Sequence, residues 1–299
     1  MRPTDDGRFT VWGSARDGGN NTLQRDLRDY ADDAERVRLI AKNLGDAEVA
    51  RQTAMQNREL LDQYHRYITA RWSISSNTER LFAEADSRLS TIANPYLEKV
   101  DAAISDAALR QVIRRIQPAC VRINRASGVN IAADGLVLTN AHVAWRKGQT
   151  MTAEFPDGRT FEAKCIAIDA KFDLALCRLE KGDHLPVAKV AAHAPAAGDR
   201  VVCIGQPGNY TPSGERTNYQ PFHVSVGKIR GLRGEPLEEQ SPLGGTKHDA
   251  WTYWGHSGSP LFNESGEVVA LHNSWDSATA MRHAVTHAAI VEFLKQNQP

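Results

Sequence analysis

No run in this sequence approaches the ~20 consecutive apolar residues that a membrane-spanning helix needs, so no transmembrane segment is expected. The opening stretch, from Met1 through Thr10, lacks the apolar core of a secretory signal, so either the chain is cytoplasmic or a signal was removed before this numbering begins; the initial Met favours the first. An excess of either charge is also missing: Lys+Arg is 36 and Asp+Glu is 36. Without a global positive field, neither nucleic acid nor an anionic membrane is expected as a partner. Cysteine is scarce. Cys120, Cys165, Cys177 and Cys203 contain no C-x-x-C pair, which argues against a zinc cage or a redox pair. Each lies among apolar residues, so buried free thiols are expected rather than disulfides. His283 and His287 lack a matching set of acidic or thiol ligands, so no metal site is expected.

What is present is a globular composition, 41% apolar and 24% charged over 299 residues, enough for one large domain or two smaller ones. Residues 1–22 are rich in Gly, Asn, Asp and Arg and read as a flexible lead-in. Residues 23–115 read as helical. Leu23, Leu27, Tyr30, Ala34, Val37, Ala41 and Leu44 recur in steps of four and three, the spacing of a coiled-coil seam. A second helical stretch runs to about Trp72, with Leu60, Tyr64 and Tyr67 on one face. Ser76-Asn77-Thr78-Glu79 has capping-box form before Leu81, Ala85, Leu89 and Ile92. Asn94-Pro95 breaks the pattern, and Pro95 suits the first turn of a further helix ending near Ile116.

Residues 116–299 have a different texture. Short apolar runs alternate with turn signals at Cys120–Ile123, Gly135–Leu138, Thr150–Phe155, Leu174–Leu179 and Val201–Gly205, which is all-β spacing. No internal repeat is evident. Gln206–Pro221 and Gly231–Lys247 read as polar loops, and Ala288–Gln296 as a closing helix. The fold class is therefore α+β by segregation: helices first, then an all-β domain.

Three β-domain segments carry chemistry: Thr139-Asn140-Ala141-His142-Val143, Phe172-Asp173-Leu174-Ala175-Leu176, and Gly255-His256-Ser257-Gly258-Ser259-Pro260. Alone, each has an ordinary explanation as core, turn or loop. In the order His, Asp, Ser they match a chemical need. Acyl transfer uses a hydroxyl with a base beside it and a carboxylate to orient that base. The glycines flanking Ser257 allow the sharp turn that aims N–H groups at a developing oxyanion.

From about Ile116 to Lys295 the chain resembles the trypsin-like (chymotrypsin-fold) serine peptidases, with spacing similar to the bacterial HtrA/Deg-type and glutamyl-endopeptidase (V8-like) branches. The resemblance implies two six-stranded barrels, roughly 117–190 and 196–286, with the site between them. It implies His142 as base, Asp173 as its orienter, Ser257 as nucleophile, and the N–H groups of Gly255 and Ser257 as the oxyanion hole. No metal or organic cofactor is implied. His256 stands before the nucleophile and no I-V-G-G-like segment precedes the first barrel, so a trypsin-type zymogen switch is not expected. Nor is a PDZ domain, because the chain ends soon after the second barrel. Gly231–Lys247 reads either as an activation loop or as an ordinary surface loop.

By the same resemblance, Thr252 and His272 fall where glutamyl endopeptidases read an acidic P1 side chain. Trp251 and Trp275 could instead crowd that pocket, and Asn273 or Ser274 would support Asp173 or the substrate backbone. A protein or peptide is the expected substrate. The helical region is expected to regulate the enzyme or assemble it into an oligomer. The competing class is a pseudo-protease that keeps the fold as a binding or scaffold module.

Overall fold

The computed structural model describes residues 2–3, 9–10, 47–210, 216–217, 220–232, 245–275 and 281–297. The seam from Leu23 to Leu44 lies outside these residues, as do nearly all of the expected lead-in and much of both polar loops. The chain forms two compact units, Met1–Pro95 and Tyr96–Pro299.

In the first unit, a short antiparallel ladder pairs Arg2–Pro3 with Phe9–Thr10. Two helices follow, α1 (Ala47–Thr69) and α2 (Ser76–Ala93). Ala54, Leu61, Tyr64 and Ile68 of α1 cluster with Leu81, Phe82, Ala85, Leu89 and Ala93 of α2. Leu60 and Tyr67 are off this face. Tyr67 is exposed, with the Arg71 guanidinium over its ring. The seam instead passes through Arg58 and His65, both buried. Arg58 Nε donates to Asp86 Oδ1 at 2.8 Å, and His65 Nε2 pairs with Glu79 Oε2 at 2.8 Å. A paired charge can occupy a buried stripe that an apolar-periodicity reading assigns one residue away. Ser75, not Ser76, caps α2, accepting from the Thr78 N–H at 3.2 Å.

The second unit opens with two helices where one was expected: α3 (Leu97–Ala103) and α4 (Ala107–Ile116). The break comes at Asp106, whose carboxylate accepts from the Leu109 N–H at 3.0 Å and so starts a new helix. Leu97, Val100, Leu109, Ile113 and Ile116 join the core of the β structure, which is why both helices belong to this unit.

Six strands close the first barrel: β1 (Cys120–Ile123), β2 (Ala126–Asn130), β3 (Leu136–Thr139), β4 (Thr150–Glu154), β5 (Thr160–Asp169) and β6 (Leu174–Leu179). Their order around the barrel is β1-β2-β3-β6-β5-β4. The second barrel comprises β7 (Arg200–Gly205), β8 (His223–Leu232), β9 (Thr246–His248), β10 (Pro260–Phe262), β11 (Val268–Trp275) and β12 (Arg282–Val285). It closes in the order β7-β8-β9-β12-β11-β10. Both barrels therefore have one strand order, a repeat of topology that the sequence does not display. Full closure leaves neither barrel with an open sheet edge. A terminal helix, His287–Asn297, buries Ile290, Phe293 and Leu294 against the shared core. All four cysteines are free and buried, as the sequence suggested. Among the described residues, no helix is long and apolar enough to cross a membrane.

Candidate active site

His142 sits on a single helical turn, Ala141–Ala144, between β3 and β4. Its Nδ1 lies 2.8 and 2.9 Å from the two carboxylate oxygens of Asp173, and its backbone N–H donates to Asp173 Oδ1 at 3.0 Å. The carboxylate thus fixes both the ring and the main chain of His142. Asp173 ends a turn built by Asp169, whose Oδ1 accepts from the N–H groups of Lys171 and Phe172 at 2.8 and 3.1 Å. That turn leaves Asp173 at φ 56°, a left-handed conformation that Asp tolerates better than most residues. Asn140 Nδ2 holds the Asp173 carbonyl at 2.9 Å.

The second barrel supplies the turn that carries Ser257. Gly255 has φ 95°, and the His256 N–H closes the turn onto the Tyr253 carbonyl at 3.0 Å. Gly258 has φ 82°, and a Cβ there would lie 2.1 Å from the Ser127 carbonyl oxygen, so only glycine fits. The Trp254 carbonyl accepts from Gly208 N–H at 2.9 Å, and the His256 carbonyl from Ser259 N–H at 2.8 Å. Because a trans peptide aims its N–H opposite its C=O, these bonds set the directions of the Gly255 and Ser257 N–H groups. Neither N–H donates to another described residue.

His142, Gly255 and Ser257 line one cavity of about 1030 Å³, together with Trp145 and Trp254. The imidazole is half exposed. Ser257 Oγ makes no hydrogen bond to His142 in this arrangement; in unliganded sites that bond is often long and tightens on the substrate. The structure therefore joins His142 to Asp173 directly and places Ser257 on the wall of the same cavity.

Residues 126–271 match the trypsin-like peptidase domain. This chain has a trypsin-like peptidase domain. The HtrA-like serine proteases are its homologues. Serine protease HTRA1 of Xenopus laevis is 30% identical over 205 residues, covering 63% of this chain and 43% of the relative. Mitochondrial serine protease HTRA2 of Bos taurus is 31% identical over 182 residues, covering 60% of this chain and 37% of the relative. The chain thus spans less than half the length of either relative. The crystal structure of the serine endoprotease from Yersinia pestis shares the fold, with a TM-score of 0.51 and 24% identity over 64% of this chain and 67% of that one.

Elsewhere in the peptidase domain, Thr252 and His272 are buried and outside the lining of the catalytic cavity. His272 stands on β11 and is laced to the nucleophile turn by its backbone: Gly258 N–H donates to its carbonyl at 2.9 Å, and its N–H to Ser259 O at 2.8 Å. Its Nδ1 meets His248 Nε2 at 3.1 Å. Burial pushes the His272 pKa well below its ordinary value, helped by the nearby His248 and His256 rings, and burial lowers that of His248 to about 3. Both rings are neutral at physiological pH. Thr252 Oγ1 is buried with no hydrogen-bond partner among the described residues.

Trp251 stacks on Tyr253 and packs edge-on against His256 and His223. Trp275 ends β11, partly exposed. The Asp173 carboxylate is bonded to His142, not to Asn273 or Ser274. The Ser274 hydroxyl turns to its neighbour Asn273 instead, at 3.3 Å. The roles of Ser127 and Gly208, and that of Asn140 within its motif, have no signal in the sequence. Their contributions are made through backbone partners far along the chain, for which local text carries no signal. Among the described residues no group of three or more His, Cys, Asp or Glu side chains could hold a metal ion.

Proposed function

We propose that this chain is a serine endopeptidase acting through His142, Asp173 and Ser257. The observation that carries the reading is the His142–Asp173 pair facing the cavity that Ser257 also lines, with the N–H groups of Gly255 and Ser257 bonded to no acceptor among the described residues. With Nδ1 engaged by Asp173, His142 presents Nε2 to the cavity. Nε2 takes the Ser257 proton as Oγ bonds to the scissile carbonyl carbon. The carbonyl electron pair moves onto oxygen, between the N–H groups of Gly255 and Ser257. Collapse of that intermediate breaks the C–N bond, and the amine leaves with the proton held on Nε2. Water then repeats the sequence on the acyl-enzyme and frees Ser257. Asp173 keeps the ring in the productive tautomer and stabilises its cation throughout.

The reading extends to an acidic P1 side chain. The His248 contact uses His272 Nδ1, leaving Nε2 for a ligand, and the unpartnered Thr252 hydroxyl offers a second donor. A carboxylate there would raise the His272 pKa and pair with the cation so formed. In the same proposal the helical region governs activity or assembly, with a homo-oligomer as the expected assembly, and the reduced thiols suit a cytoplasmic setting.

Digestion of an unbiased peptide library, with cleavage sites mapped by mass spectrometry, tests the enzyme and its preference together. Cleavage enriched after Glu or Asp, with the enrichment lost in His272→Ala, is the expected result. Cleavage with no acidic enrichment removes the P1 proposal alone. No cleavage at all favours a pseudo-protease that binds rather than cuts.

A further inference from the structure

Ser127 lies on β2 of the first barrel and is almost fully buried, 1% exposed. It is 130 positions before the nucleophile by sequence number, yet it touches the nucleophile turn twice. Its backbone N–H donates to the Ser257 carbonyl at 2.9 Å, and its hydroxyl donates to the Gly255 carbonyl at 2.7 Å. The hydroxyl oxygen in turn accepts from the Gln206 N–H at 3.1 Å, just past β7 of the second barrel. Its own carbonyl accepts from the Thr139 hydroxyl at 2.7 Å, three residues before His142.

These bonds bracket the oxyanion hole. The two donor N–H groups belong to the Trp254–Gly255 and His256–Ser257 peptides. The peptide between them, Gly255–His256, is the one whose carbonyl Ser127 holds. That peptide follows a glycine at φ 95°, where no side chain restricts backbone rotation. Its N–H end is closed onto the Tyr253 carbonyl at 3.0 Å, and the Ser127 hydroxyl holds its carbonyl end. Ser127 is also the point where the first barrel, which carries His142 and Asp173, is tied to the turn that carries Ser257. Its hydroxyl serves the part-buried Gly255 carbonyl and the buried Gln206 N–H at once, and an alanine would remove both bonds.

We propose that Ser127 is a positioning residue of the oxyanion hole: its hydroxyl locks the Gly255–His256 peptide so that the two N–H donors converge on the substrate carbonyl oxygen. It touches no reacting atom and acts on the transition state through the turn. The inference rests on the peptidase reading above.

The test compares Ser127→Ala and Ser127→Cys with the wild-type full-length chain on one cleaved peptide. Turnover is expressed per active site titrated by a fluorophosphonate, so molecules that fail to fold are not counted. Ser127→Ala is expected to lower kcat about 10- to 100-fold with KM within about twofold, because the hole acts in the transition state rather than on the bound peptide. Its affinity for a peptidyl aldehyde, whose adduct carries the oxyanion, should fall in parallel. Ser127→Cys, which keeps a weak donor, should lie between the two. A general loss of packing would not split kcat from KM or grade with donor strength. Titrated Ser127→Ala with kcat and aldehyde affinity within about twofold of wild type overturns this proposal while leaving the peptidase reading intact. A wild-type chain that neither cleaves peptides nor reacts with the fluorophosphonate overturns both.

Discussion

The Asp173 carboxylate holds His142 at two points, the ring Nδ1 at 2.8 Å and the backbone N–H at 3.0 Å. One side chain therefore sets both the tautomer of the base and the start of the short helix that carries it. Asp173→Asn keeps the shape but replaces one accepting oxygen with a donor. The ring is then driven to the tautomer that protonates Nε2. We expect kcat to fall about 10⁴-fold, with thermal unfolding little changed. Steady-state kinetics on a single cleaved peptide reads this directly.

Gly258 is the position where the backbone has least room. Any side chain there meets the Ser127 carbonyl at 2.1 Å and the Thr139 hydroxyl at 2.5 Å while φ is 82°. Gly258→Ala should destabilise the second unit by roughly 2–4 kcal/mol, from backbone strain and overpacking together. Urea unfolding followed by tryptophan fluorescence is the measurement. A midpoint unchanged from wild type would mean the turn relaxes without cost.

The buried histidines predict a pH dependence of stability. His248, His272 and His223 all have pKa values lowered by burial, that of His248 to about 3. An unfolded chain protonates these rings below about pH 6.5, whereas the folded chain leaves them neutral. The unfolded state then binds more protons, so stability is complete above about pH 6.5 and declines as pH falls toward the folded pKa values. Each ring that stays neutral contributes up to ~1.4 kcal/mol of loss per pH unit in that window. Chemical unfolding between pH 7 and 4 should show the decline, and His248→Gln should flatten it.

Much of the β domain is legible as text because strands alternate with turn residues at short range. Leu174–Leu179 matches its observed strand at both ends, and Cys120–Ile123 does as well. His142, Asp173 and Ser257 stand out in the sequence because each sits in a dense local motif. The helical face was misread by one position in α1, since the buried row passes through Arg58 and His65, whose burial depends on Asp86 and Glu79 in or near the next helix. The Asp106 cap was hidden inside an apolar periodicity that continues across it. Ser127 was invisible for a stronger reason. Its partners outside the first barrel lie at positions 206, 255 and 257, and no local pattern encodes a bond between barrels.

The central claim is that Ser257 is a nucleophile activated by His142. The most direct measurement is stoichiometric labelling of the purified full-length chain with a fluorophosphonate, with peptide mapping of the adduct. The account predicts one label per chain on Ser257, none in Ser257→Ala, and peptide hydrolysis falling about 10⁶-fold in that variant. A wild-type Ser257 that stays unlabelled, or hydrolysis undiminished in Ser257→Ala, would contradict it.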